Sequence, residues 1–136
     1  MKKLVRVSMI YMITGLFFGV FYREMTKIFD YEGPTQLAGL HTHTFTLGML
    51  FFLIVLLLEK NFHITQEKNY KKFYAFYQTG LGMTLTIMLV HGTMSVMGYE
   101  SSPALSGIAG LGHISLTIGL GFLFNVLFSA VSKLEK

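Results

Sequence analysis

Two histidines separated by one residue, His41 and His43, are the side chains of this chain best suited to chemistry. They lie in the string GLHTHTFTLGML, which has the composition of the first turns of a membrane-spanning helix. Neutral imidazole is a common ligand of zinc, copper and iron. Two more histidines, His91 and His113, lie in other apolar stretches, whereas His63 lies in a polar loop and is expected to be solvated. Ionisable side chains within a membrane indicate a functional site by default.

The spacing of His41 and His43, called the histidine pair below, limits what it can bind. Successive residues of an α-helix are about 100° apart, so positions i and i+2 face nearly opposite directions. A regular helix therefore cannot direct both imidazoles to one metal ion, but it can direct them into two separate pockets. The predicted faces group His41 with Thr44, Phe45 and Gly48, and His43 with Gly39, Thr46 and Leu50.

The rest of the chain supplies the helices that must hold these side chains. Of its 136 residues, 52% are hydrophobic and 13% are charged, and the mean hydropathy is +0.55. Apolar stretches of about 20 residues are long enough to cross a bilayer, and the basic, apolar N-terminal stretch lacks a signal-peptide cleavage site. The sequence predicts an all-α, integral membrane four-helix bundle that forms a single domain, 1–136. Its predicted helices are about 4–22, 37–58, 73–97 and 105–131.

The basic residues predict the orientation of these helices. Nine of the eleven Lys and Arg residues lie in the N-terminal segment, the loop between the second and third helices, and the C-terminal segment. By the positive-inside rule, both termini are expected in the cytoplasm, and we expect a multi-pass protein of a bacterial cell membrane. The charge is explained by topology, so no nucleic-acid partner is predicted. The absence of cysteine excludes disulfides, thiolate metal sites and iron–sulfur clusters.

This topology places four histidines at similar depth in the outer half of the membrane. At about 1.5 Å per residue, His41 and His43 lie roughly 7 to 12 Å along the second helix, His91 roughly 10 Å from the outer end of the third, and His113 roughly 12 to 15 Å into the fourth. Small and polar residues share the faces of His91 and His113, and such stripes usually face other helices. Both are therefore expected to face a bundle or a subunit interface. The stripes are Gly80, Thr84, Ser95 and Gly98 with His91, and Ser106, Gly110, Thr117 and Gly121 with His113.

Haem b is the cofactor that fits these ligands best. Haem needs one or two axial imidazoles, an apolar slot between helices, and polar groups near the surface for its propionates. Arg23 and Lys27 are predicted to contact the propionates on the outer side. Copper or zinc is the less favoured alternative. The phenylalanines at Phe51 and Phe52 are interpreted as packing or, equally, as lipid contacts.

The string LHTHTFTLGMLFF resembles the helix of the haem–copper oxidase and nitric oxide reductase catalytic subunit that carries a His-x-His pair. The resemblance implies that His41 and His43 ligate two different haems, one on each side of the helix. That subunit has twelve helices in three arcs of four, with the His-x-His helix second in its arc. The resemblance therefore implies that one chain corresponds to one arc and that a homotrimer forms the twelve-helix ring. The chain also resembles a family of small, uncharacterised four-helix bacterial membrane proteins.

Parts of the oxidase pattern have no counterpart in this sequence. The copper-binding His-His pair and the tyrosine that is cross-linked to a histidine are both missing, so the resemblance does not imply oxygen reduction or proton pumping. What it does imply is haem ligation by the histidine pair.

The favoured hypothesis is a minimal haem protein for electron transfer or for binding a diatomic gas. The axial ligands would be His41 of one subunit and His43 of the next, with His91 and His113 as a second ligand set or as hydrogen-bonding groups of the pocket. A haem-dependent oxidoreductase role stays open, with a quinone or small redox protein as partner, because the haem would carry the chemistry. No catalytic side chain is predicted.

Two alternatives follow from the same residues. One is a monomeric sensor or transporter in which His43, His91 and His113 converge on one haem, copper or zinc. The other is a non-catalytic accessory subunit whose histidines only form hydrogen bonds between helices.

Overall fold

The structure is a computed structural model that describes residues 1–100 and 103–135. Its described part consists of four long helices and one short 3₁₀ turn, and all four helices are long and apolar enough to cross a membrane, as predicted. Most helix ends extend beyond the predicted spans, because polar residues continue the helix past the apolar segment. The helices are α1 (Lys2–Ile28), α2 (Leu37–Phe62), α3 (Tyr70–Val96) and α4 (Pro103–Leu134), and the 3₁₀ turn is Ile64–Gln66.

The ends of the helices follow from local chemistry. Helix α2 stops at His63, whose φ of 50° lies in the left-handed region. The Glu59 carboxylate accepts hydrogen bonds from the backbone N–H (2.8 Å) and the hydroxyl (2.6 Å) of Thr65, which connects the end of α2 to the 3₁₀ turn. Pro103 is the first residue of α4, a position where its missing N–H would have no partner in any case.

The four helices form an open row in which each helix packs against the next along the chain. Helix α1 packs along α2, α3 packs along α4, and contacts between α2 and α3 join the two pairs. Within the described residues, no Cα atom of α1 comes within 8 Å of a Cα atom of α4. A closed four-helix bundle would bring its first and last helices together. The four predicted helices are confirmed, and the first and last of them do not meet in the described part of the chain.

The contact between α3 and α4, called the glycine seam below, is made by backbones in direct contact. A Cβ atom on Gly80 would lie 2.6 Å from the backbone nitrogen of Leu116, and one on Gly112 would lie 2.8 Å from Oγ1 of Thr84. Only glycine allows the two helices to approach this closely. Gly80 and Thr84, part of the predicted His91 stripe, therefore face a neighbouring helix, as expected.

Helices α2 and α3 are close at one end and separated by aromatic rings at the other. Near the start of α2, a Cβ atom on Gly92 would lie 2.6 Å from the backbone nitrogen of Leu37. Farther along α2, Phe51 stacks on Tyr77 with 4.0 Å between ring centroids, and Phe52 meets Tyr77 edge-on at 5.7 Å. Phe52 is fully buried, so at this residue the lipid-contact interpretation is wrong.

Candidate functional site

The backbone of α2 changes from α to π geometry directly after the histidine pair. Residues Thr44–Leu50 form a π-helix, a rare conformation that often occurs at functional sites. Side chains of two neighbouring helices donate hydrogen bonds to its carbonyl groups. The Tyr77 hydroxyl donates to the Leu47 carbonyl and the Ser8 hydroxyl donates to the Met49 carbonyl, both at 2.9 Å. The prediction of a regular helix here is wrong. No residue pattern marks the change, because it depends on these partners.

His43 has one ring nitrogen in a hydrogen bond and one ring nitrogen free. Its Nδ1 lies 2.8 Å from the Gly39 carbonyl oxygen, which can only accept, so Nδ1 carries the proton and Nε2 keeps a free lone pair in the neutral ring. Metal-binding histidines usually donate their second ring N–H in this way. The side chain is exposed and borders a cavity of about 210 Å³ with Thr42, Thr46 and Leu47.

His41 lies on a different side of α2, as its spacing from His43 predicts. A Cβ atom on Gly19 of α1 would lie 3.9 Å from the His41 Cβ, and the ring meets Phe45 edge-on at 6.4 Å between centroids. Its Nδ1 is buried and has no hydrogen-bond partner among residues 1–100 and 103–135. Thr42 Oγ1 lies 3.4 Å from Nε2, which is a long contact for a hydrogen bond. The buried Nδ1 is therefore a polar atom that one chain leaves unsatisfied.

The two predicted propionate contacts lie beyond His41 along α1. Arg23 and Lys27 follow Gly19 by four and eight residues, so they lie one and two helical turns farther along α1 from the contact with His41. Both side chains are exposed, and Arg23 Nε lies 4.0 Å from Glu24. Their charges are therefore available at the end of the α1–α2 pair where the histidine pair lies.

His91 and His113 repeat the two environments of the histidine pair. His113 is exposed and its Nδ1 lies 2.9 Å from the Ala109 carbonyl oxygen, as in His43. His91 has a buried Nδ1 with no hydrogen-bond partner among the described residues, as in His41. The ring of His91 borders two cavities of about 170 and 230 Å³, both of which also contain Gln36. Each of the two helix pairs therefore contains one histidine with a bonded Nδ1 and one without.

The stripe of small and polar residues around His113 points away from the other helices of its own chain. A Cβ atom on Gly110 or Gly121 would have nothing within 4 Å, while the face of α4 with Gly112 and Leu116 packs against α3. The expectation that this stripe faces a bundle within the chain is wrong. The other part of that expectation, a subunit interface, stays a prediction. The exposed members of the stripe are Ser106, Gly110, His113, Thr117 and Gly121.

The described residues contain no group of three or more His, Asp or Glu side chains that could hold a metal ion. A convergence of His43, His91 and His113 on one copper or zinc ion is therefore not found in the part of the chain that the structure describes. His63 is exposed in the loop after α2, where the sequence places it.

Comparison with known families covers nearly the whole chain. Residues 1–130 match the family model described as "Protein of unknown function (DUF2871)". The chain belongs to this family. Membership agrees with the resemblance to a small uncharacterised family and assigns no activity. No match was found among curated proteins or among solved structures. The resemblance to the oxidase arc has no support from these comparisons, so it remains a hypothesis that rests on the residues of α2.

Proposed function

We propose that this protein binds haem b in the cytoplasmic membrane, with His43 of one subunit and His41 of the next as the axial ligands. The observation that carries the proposal is the geometry of His43. Its Nδ1 is bonded to the Gly39 carbonyl at 2.8 Å, and its ring borders an open cavity at the start of a π-helical segment. The free nitrogen is the one that a haem iron binds.

The unpaired Nδ1 of His41 supports a site that is completed by a second subunit. A buried polar atom without a partner is uncommon in proteins and needs an explanation. If His41 binds iron through Nε2, its Nδ1–H requires an acceptor, and the described residues of one chain offer none. Because this Nδ1 is already enclosed by its own chain, we propose that the His41 ring turns when the haem binds and that its Nδ1–H then reaches an acceptor on the neighbouring subunit.

The open row of helices supports a homotrimer. A row has two free edges, here α1 and α4, and three rows arranged around a threefold axis would cover both in a twelve-helix ring. The exposed stripe around His113 suits such a contact, because small residues let helices of different subunits approach closely. In this arrangement His91 and His113 form hydrogen bonds in the pocket or a second ligand set. Both termini lie in the cytoplasm.

The haem would supply electron transfer or diatomic-gas binding, and the chain would bind and orient it. Two imidazole ligands favour electron transfer because they leave no open position on the iron. Arg23 and Lys27, four and eight residues after Gly19 and so on a similar face of α1, would neutralise the propionates at the outer surface. A quinone or a small redox protein would exchange electrons with the haem. An oxidoreductase activity would then depend on that partner.

Difference spectra test the proposal. The protein is purified from haem-replete cells, and reduced-minus-oxidised spectra are compared for the wild type, His41→Ala, His43→Ala and the control His63→Asn. Asparagine tolerates the left-handed backbone of residue 63. We expect a b-type α-band in the wild type and control, and its loss in both alanine variants. A wild type without the band, or a His43→Ala variant with an unchanged band, would reject the proposal.

Metal analysis of the same samples separates the remaining hypotheses. The haem proposal requires iron together with a Soret band. Copper or zinc without a Soret band would indicate the sensor or transporter alternative. A colourless, metal-free protein that tolerates His→Gln at residues 41, 43, 91 and 113 would indicate an accessory subunit.

A further inference from the structure

A cavity of about 430 Å³ lies between the start of α1 and the end of α2. This basic cavity is at the end of the helix pair opposite the histidine pair. Its volume lies within the range of about 300 to 1,000 Å³ that is typical of ligand pockets. Apolar side chains from both helices line it, among them Val5, Leu56 and Leu57. Three basic side chains, Lys2, Arg6 and Lys60, line it as well.

The three basic residues have no acidic partner. None of them forms an ion pair with another described residue, and no acidic side chain lines the cavity. Lys3, also at this end of the protein, is engaged instead: its Nζ lies over the ring of Tyr74, 4.3 Å from the centroid. Three like charges around one apolar cavity repel each other, and an anionic ligand would relieve that repulsion.

We infer that the basic cavity binds an anionic phospholipid. Lys2, Arg6 and Lys60 would contact the phosphate, and an acyl chain would lie along Val5, Leu56 and Leu57. The charges are at helix ends, where lipid headgroups lie, and basic pockets between membrane helices on the cytoplasmic side bind such headgroups. Arginine adds bidentate hydrogen bonds to phosphate oxygens. The inference does not depend on haem, because the cavity shares no residue with the histidine sites.

Native mass spectrometry of the full chain in detergent micelles can test this inference. Dioleoyl phosphatidylglycerol is titrated against wild type, a K2Q/R6Q/K60Q variant and a K68Q/K71Q/K72Q control that removes the same charge outside the cavity. Each basic residue near an anionic headgroup strengthens its binding, so we expect the cavity variant to bind this lipid at least tenfold more weakly than the other two. Dioleoyl phosphatidylcholine should bind all three proteins equally. Equal phosphatidylglycerol binding by cavity and control variants would overturn the inference.

A second variant keeps the charges and fills the apolar part. Val5 is 48% exposed and lines the cavity, so Val5→Trp can occupy the cavity without entering the core. We expect this variant to lose phosphatidylglycerol binding while its helix content is unchanged, and unaltered binding would contradict an acyl-chain site. Inorganic phosphate in excess should not displace the lipid. Displacement by phosphate alone would show that the site recognises a free anion, which would also overturn the inference.

Discussion

The α1–α2 pair and the α3–α4 pair are held together in different ways. In the glycine seam, Gly80 and Gly112 bring two backbones into direct contact. In the α1–α2 pair, glycine instead receives an aromatic ring from the other helix: a Cβ atom on Gly15 would lie 2.8 Å from Cε1 of Phe45, and Tyr11 packs over Gly48. Both contacts require glycine, but the first joins two backbones and the second joins a backbone to an aromatic side chain.

The environments of the histidines do not distinguish the α1–α2 helix pair from the α3–α4 helix pair. His43 and His113 have the same bonded Nδ1, while His41 and His91 have the same unpaired one. The difference is in the backbone, because only α2 has a π-helical segment among the described helices. We conclude that the glycine seam is a structural element and that the α1–α2 pair is the candidate for the ligand-binding part. Single substitutions in each helix pair can test this distinction.

Disrupting the glycine seam should have the largest effect on stability. Gly80→Ala introduces a Cβ against the backbone of Leu116 and Gly112, so we expect a loss of about 2 kcal/mol or more in the free energy of unfolding. Gly82→Ala is the matched control, because nothing lies within 4 Å of its Cβ and alanine favours helix by up to about 1 kcal/mol. Unfolding in mixed micelles, followed by circular dichroism, measures both. Equal losses would refute the structural role of the seam.

Removing a hydrogen bond to the π-helical segment should have a smaller effect on the free energy of unfolding. Tyr77→Phe leaves the Leu47 carbonyl without its hydroxyl donor, and we expect a loss of about 1 kcal/mol in the free energy of unfolding. Tyr70→Phe is the control, since no hydrogen bond of the Tyr70 hydroxyl is found among the described residues. The same unfolding assay is used. If both variants lose equal stability, the Tyr77 hydroxyl does not support the π-helix.

The smallest effect on stability is expected from Glu67, which lies in the loop between α2 and α3 and contacts α4. Hydrogen bonds from Lys133 and Ser129 lower the pKa of the Glu67 carboxyl below its ordinary value of 4.5. Because the folded pKa is below the unfolded one, the stabilisation is complete above about pH 4.5 and is lost as the pH falls through the folded pKa. Glu67→Gln should therefore lower Tm slightly at neutral pH, and the difference from wild type should shrink in acid. Glu135→Gln is the control, because the Glu135 carboxylate forms no ion pair among the described residues. The difference in Tm between this variant and the wild type should not change with pH.

The helices and the opposite faces of the histidine pair could be predicted from the sequence, since apolar length and residue spacing decide them. Pro103 marks the start of α4 for an equally local reason. The outward direction of the His113 stripe could not be predicted, because small residues recur on two faces of α4 and the partner decides which face is buried. The π-helical segment was missed for the same kind of reason. It depends on hydroxyls of Ser8 and Tyr77, far from Thr44–Leu50 in sequence.

The position of the basic cavity also depends on the fold. Lys2, Arg6 and Lys60 are separated in sequence, and the charge pattern predicts only that they share one side of the membrane. Packing of α1 along α2 brings them to one cavity. Phe52 illustrates the same limit, because an apolar ring in a membrane helix can face lipid or core with equal local preference.

Co-expression of two ligand variants tests whether the haem is held between subunits. His41→Ala chains keep His43, and His43→Ala chains keep His41, so a mixed trimer contains one interface with both ligands intact. We expect a b-type difference spectrum in the wild type, none in either variant alone, and partial recovery, near one haem per mixed trimer, when the two are expressed together. Absence of haem from the wild type, or no recovery in the mixed sample, would contradict haem ligation by His41 and His43 of different subunits.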